Sequence, residues 1–167
     1  MKGMFGNSER DYLSVAQVKI NPDSGCTIVL TGTNYYGDAV NLRLKSTDVP
    51  SEALSSAVEK LGKAIFDASE FSAEALQEVR SVKFDSDESG ERETVEVIGL
   101  RQCSNVDGTA EIRFSPQFIG GRSAQAAITQ TAMDVRKLAG EYAFGDRPGN
   151  LFREDWAEEP IGSDTQE

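Results

Sequence analysis

The stretch SAQAAITQTAMDVRKLAGEY, residues 123–142, decides the reading of this chain. Ala124, Ile128, Thr131, Val135, Leu138 and Tyr142 recur at spacings of four and three, which is one face of an amphipathic helix. Seventy positions upstream, Leu54, Ala57, Val58, Leu61, Ile65 and Ala68 precede Ala124, Ala127, Ile128, Thr131, Val135 and Leu138 in the same order. The strand-like runs before them align as well, Val40, Leu42 and Leu44 against Ala110, Ile112 and Phe114. The offset predicts one unit used twice.

Outward from these helices, the chain reads as strands and turns. Residues 1–11 are a polar lead-in. Tyr12–Ile20 is β-rich with partial alternation, and Asn21-Pro22-Asp23-Ser24-Gly25 is a turn signal. Cys26–Thr33 is a second strand around Ile28-Val29-Leu30, and Asn34–Asp38 is a loop. Ala39–Lys45 alternates cleanly, with Val40, Leu42 and Leu44 inward and Asn41, Arg43 and Lys45 outward. A helix follows to about Ala68, with Asp48 as its cap and Pro50 in its first turn. Ser69–Glu78 reads as a second short helix or an extension of the first. Val79–Phe84 and Glu93–Cys103 form a hairpin across an acidic loop, and Thr109–Ser115 is a further strand. Gly120-Gly121 breaks the chain, Ser123 caps the long helix, and Gly145–Gly149 ends the domain.

The expectation is an α+β fold of pseudo-duplicated βββα units, residues 12–68 and 79–143, with two main helices packed on antiparallel sheet. One domain spans residues 12–149, and residues 150–167 form an acidic tail.

Composition narrows the chemistry. The chain has no histidine, so Ser-His-Asp and Cys-His sites are impossible, and no catalytic motif replaces them. A non-enzymatic protein without a cofactor is expected. Cys26 and Cys103 are too few for a disulfide framework and read as reduced, packed thiols. No apolar run reaches the ~20 residues that cross a bilayer, and residues 1–10 lack the apolar core of a signal peptide. The reading is a cytoplasmic protein without a membrane partner.

The net charge of −11 is unevenly placed. Glu154, Asp155, Glu158, Glu159, Asp164 and Glu167 lie within residues 154–167, which hold no Lys or Arg, and Asp85–Glu93 is a second acidic run. The remaining body is close to neutral, so an anionic ligand is compatible with it.

Several constellations follow. Lys19, Arg43, Lys45, Arg80, Lys83, Arg101 and Arg113 all fall on expected strands, and Tyr35, Tyr36, Phe114 and Phe118 are available as stacking surfaces. Phe114 shares the inward face of Ala110 and Ile112, which points to the core. Outward cations with a few flat rings are a means of holding single-stranded nucleic acid. Arg43, Lys45, Arg101 and Arg113 are the phosphate contacts of that reading, and Tyr35 and Tyr36 its stacking residues. Asp85-Ser86-Asp87-Glu88-Ser89-Gly90, followed by Glu96, has the spacing of a calcium loop resembling that of EF-hand proteins. On that resemblance Asp85, Asp87, Ser89, Glu91 and Glu96 would be the ligands. Arg92 stands where the family has an apolar residue, and a strand follows where the family has a helix. In the tail, Phe152 and Trp156 place apolar side chains among carboxylates, a pattern for docking a protein partner. Gly120-Gly121-Arg122-Ser123 opens a helix as a phosphate-binding turn would, without the spacing of a P-loop.

The doubled strands-then-helix layout over about residues 12–143 resembles the Whirly-type single-stranded-DNA-binding fold. The resemblance is one of layout alone. Those units have four strands where three are expected here, and no residue carries over. It implies sheets side by side and nucleic acid as the ligand. The leading expectation is therefore single-stranded nucleic-acid binding through a basic, aromatic sheet face, modulated by the acidic tail. The alternatives are an acidic protein-interaction module or an inhibitor that mimics nucleic acid, and a calcium-responsive module. The size and tail suit a phage or bacterial accessory protein, and the small-residue side of the long helix suits a homo-oligomer contact.

Overall fold

The computed structural model describes residues 13–145 apart from 22–24, 35, 49, 70–75, 90, 104–105 and 123. Its elements, in order, are β1 (Leu13–Asn21), β2 (Gly25–Thr33), β3 (Ala39–Ser46), α1 (Glu52–Ala68), β4 (Leu76–Ser86), β5 (Glu93–Gln102), β6 (Thr109–Arg113), β7 (Gln117–Ile119) and α2 (Ala126–Phe144). The strands form one sheet in the order β3-β2-β1-β4-β5-β6, with β7 paired to the start of β5. Every neighbouring pair is antiparallel. The fold is α+β, an antiparallel sheet with two helices.

The two three-strand runs meet where β1 pairs with β4, with Val18 opposite Val82. Residues opposite one another in a sheet share a face. Tracing pairs outward from this seam, Ile28, Leu30, Leu44, Val95, Val97 and Phe84 fall on the same side as Val18 and Val82, and all are buried. The partial alternation of β1 has a local cause. A register shift between Val15 and Gln17 leaves Ala16 as an extra residue, so Val15 and Val18 face the same way at a spacing of three. β4 does the same between Val79 and Ser81, which brings Val79 and Val82 to one face.

Both helices lie on this buried face. α1 rests on β4 and β5, α2 on β1, and the two pack along one another. Their directions are opposite, because the Tyr142 hydroxyl near the end of α2 donates to Ser46 Oγ (3.3 Å), just ahead of α1. At Gly62 the helix α1 lies directly against β4. A Cβ there would stand 2.5 Å from Val79 Cγ2, so only glycine lets α1 approach this strand. Phe66 and Phe114 meet edge to face, with ring centroids 4.6 Å apart, closing the core under the end of α1. Phe114 is thus a core residue, as its face predicted.

Several boundaries differ from the sequence reading. Asp48 does not cap α1. Ser51 does, accepting from Leu54 N at 3.2 Å, and Pro50 lies ahead of the helix. Leu76–Glu78 belong to β4 and not to a short helix, because Leu76 and Val79 are needed under α1. α2 starts at Ala126, with Gln125 at its N-cap and no side-chain capping bond, while Ser123 lies outside the described residues. β7 was not expected. The final edge breaks at Phe114–Pro116 because Pro116 has no N–H for a ladder. Cys26 and Cys103 form no disulfide among the described residues. No described helix is long and apolar enough to cross a membrane.

Candidate nucleic-acid interface

The other side of the sheet has no described helix over it. Its composition follows from the register. One cross-strand row runs Lys45, Thr27, Lys19, Ser81, Ile98, Arg113 across six strands. The next runs Arg43, Val29, Gln17, Lys83, Glu96. At about 4.8 Å between neighbouring strands, Lys45 and Arg113 are roughly 24 Å apart. The predicted contact residues therefore do not converge on one spot. Arg43 and Lys45 hold one margin of the face and Arg113 the other.

The two halves differ in charge. On β1, β2 and β3 the open face carries Ser14, Gln17, Lys19, Thr27, Val29, Thr31, Asn41, Arg43 and Lys45, with no carboxylate. Lys19, Arg43 and Lys45 are exposed, and none makes an ion pair among the described residues. On β4, β5 and β6 the cations are met by acids. Arg80 pairs with Glu78 at 3.4 Å, Lys83 with Asp85 at 3.7 Å, and Arg113 Nε with Glu96 at 3.3 Å. An added anion would compete with those carboxylates on the second half and with no described carboxylate on the first.

Arg101 does not belong to this surface. It is opposite Ala110, two positions along β5 from the buried Gly99 and four from Val97, so alternation puts it on the helix side. Membership of a strand does not by itself give the face of Arg101, because Ile98 and Leu100 blur the alternation of Val95 and Val97. Conversely, Lys19 and Lys83 are in the two rows though they were not among the contact residues. The bulge at Ala16 hides the face of Lys19 from a simple alternation.

Of the proposed stacking residues, Tyr35 lies outside the described residues. Tyr36 sits in the β2–β3 turn, 84% exposed. Its backbone is held there by Asn34, whose Oδ1 accepts from Tyr36 N at 2.9 Å and Asp38 N at 2.8 Å, while Gly37 supplies a φ of 84°. Phe118, opposite Thr94 on the open face, is 45% exposed at the far margin.

The acidic loop is a hairpin tip. Asp87 Oδ1 accepts from Ser89 Oγ at 2.9 Å and from Arg92 N at 3.2 Å, and Asp87 N donates to Arg92 O at 3.0 Å. Asp85 and Glu96 lie on the strands, beside Lys83 and Arg113. Asp85, Asp87, Ser89, Glu91 and Glu96 do not gather, and no group of three or more potential ligands is present among the described residues. Gly120 is likewise committed, its N–H donating to Thr129 Oγ1 at 3.2 Å six residues before α2 begins. Phe152, Trp156 and the whole of residues 150–167 lie outside the described residues.

No protein-family model, curated protein or solved structure matches this chain.

Proposed function

We propose that the open face of β1, β2 and β3 binds single-stranded nucleic acid. The observation that carries this reading is the trio Lys19, Arg43 and Lys45 on a half-face without a carboxylate. Cations free of ion pairs can neutralise phosphates without first breaking an internal contact. Thr27 stands between Lys19 and Lys45, and Thr31 and Asn41 lie in the adjoining row beyond Arg43, as neutral hydrogen-bonding groups. Tyr36, at the end of the same hairpin, offers a ring to a base. Arg113 plays the smaller part in this reading because Glu96 already shares its charge. The residues of the acidic tail would act as modulator or partner-recruiting segment. The reading of the chain as one βββα unit used twice belongs to this proposal. It is supported by the matching three-residue spacings Val15–Val18 and Val79–Val82, and by Gly62 against Val79 and Gly140 beside Val15.

Fluorescence anisotropy of a labelled single-stranded oligonucleotide tests the surface. Binding should weaken with salt, with a log–log slope near −2 for about three phosphates neutralised. The double variant Arg43→Glu, Lys45→Glu should abolish it, and Arg113→Glu should weaken it less. Absence of binding at low salt, or binding that the double variant leaves intact, removes this surface.

A further inference from the structure

The two edges of the sheet are built differently. The β6/β7 edge is interrupted at Phe114–Pro116, and Pro116 cannot donate to an added strand. β3 is the other edge. It pairs with β2 from Ala39 to Ser46 without a register shift, and no described element covers its free side. It contains no proline, and its half-buried Val40 and Leu42 lie on the helix side of the sheet at the rim. A regular strand with a row of unpaired backbone donors and acceptors is a template for another strand.

We infer that β3 pairs antiparallel with β3 of a second copy, with Leu42 opposite the partner's Leu42. The side-chain order of β3 is self-complementary in that register. Arg43 stands opposite the partner's Asn41, Lys45 opposite the partner's Ala39, and Val40 opposite the partner's Leu44. Cations meet neutral groups on the open face, and apolar groups meet on the helix face. Centring on Arg43 would place two guanidinium groups opposite each other, and centring on Leu44 would place Lys45 opposite the partner's Arg43. Like charges directly opposite destabilise a pair of strands, so the charges select among registers. Centring on Asn41 avoids them too but shortens the paired run. The broken β6/β7 edge matters for closure. β3 against β6 of another copy would be head-to-tail and would propagate into a filament, whereas β3 against β3 is two-fold and stops at a dimer. The joined sheet would also bring Lys19, Arg43 and Lys45 of both copies onto one surface.

Light scattering coupled to size exclusion decides the point without nucleic acid, so its outcome is separate from that of the binding assay. At roughly 100 μM, where a micromolar interface is filled, the full chain should have twice its mass of 18.1 kDa. Asn41→Arg, at an exposed position, puts a cation opposite the partner's Arg43 at two symmetric places. It should give the single-chain mass with an unchanged circular dichroism spectrum. On mild oxidation, Asn41→Cys mixed with Arg43→Cys should cross-link between the two variants more than either does with itself. A single-chain mass for the unaltered protein, or a dimer that Asn41→Arg leaves intact, overturns the inference, and equal cross-linking in the mixed and unmixed samples overturns the register.

Discussion

Val18 of β1 stands directly opposite Val82 of β4, both fully buried, at the seam where the two three-strand runs join. Among the described strands no other pair crosses that line. The seam is also covered by both helices, since α1 rests on β4 and α2 on β1. Each run of strands is therefore covered in part by the helix that follows the other run, and neither has a complete core alone.

Val82→Ala should destabilise the protein by about 2 kcal/mol, from lost burial and the cavity left behind. On a chain of this length that lowers the melting temperature by roughly 4–8 °C. Near- and far-ultraviolet circular dichroism should still melt together. Two separated transitions would mean that the halves fold independently across the seam.

Gly62→Ala sets two effects of opposite sign against each other. Alanine favours the helix by about 1 kcal/mol. Its Cβ would stand 2.5 Å from Val79 Cγ2 and 2.9 Å from Leu76 Cδ2, so α1 or the strand must shift. Overpacking of this kind costs about 1–3 kcal/mol and wins. Denaturant titration should show net destabilisation, relieved when Val79→Ala is added, with a coupling above about 0.5 kcal/mol. A Gly62→Ala protein more stable than the parent would rule out this close contact.

Arg136 should matter more than the exposed ion pairs. Its Nη1 donates to Glu93 Oε2 at 2.9 Å, its Cζ lies 4.6 Å from the centre of the Phe84 ring, and its side chain is 22% exposed. Arg136→Ala should cost about 1–2 kcal/mol, combining the charge-assisted bond, the ring contact and the packing of the stem. Lys63→Ala breaks a pair with Glu59 whose side chains are about half exposed, and should cost less than ~0.5 kcal/mol. Arg136→Met should fall between them, because it keeps the stem and removes a buried Nε that has no hydrogen-bond partner among the described residues. Equal effects at Arg136 and Lys63 in chemical denaturation would refute the difference.

Much of the element order can be read directly from the chain. β3 shows strict alternation, and α1 and α2 show apolar spacings of three and four, because each has one buried and one wet face. The hairpin across the acidic loop is legible from two β-branched runs around Asp85–Glu93. Of the short helix expected over Ser69–Glu78, residues 70–75 lie outside the described residues, and Leu76–Glu78 are strand because local helix preference there competes with a tertiary demand, the need for Leu76 and Val79 beneath Gly62. β7 is illegible because three residues after a proline carry no periodic signal.

The candidate surface divides in the same way. Which cations lie on strands is a local property, and Arg43 and Lys45 could be assigned to the outward side of β3 from alternation within eight residues. Which cations share a surface, and which are already paired, is not local. Arg101 falls on the helix side, Lys19 on the open side after a bulge, and Arg113 next to Glu96. The sequence by itself determined the α+β class, the two amphipathic helices and the absence of histidine chemistry. Only the tertiary structure decided the strand order, the bulges that reset the faces, and the separation of a basic half-face from a charge-balanced one. The physical reason is range. Periodicity records whether each residue is buried or exposed within its own element, whereas strand register and charge pairing depend on contacts between residues tens of positions apart.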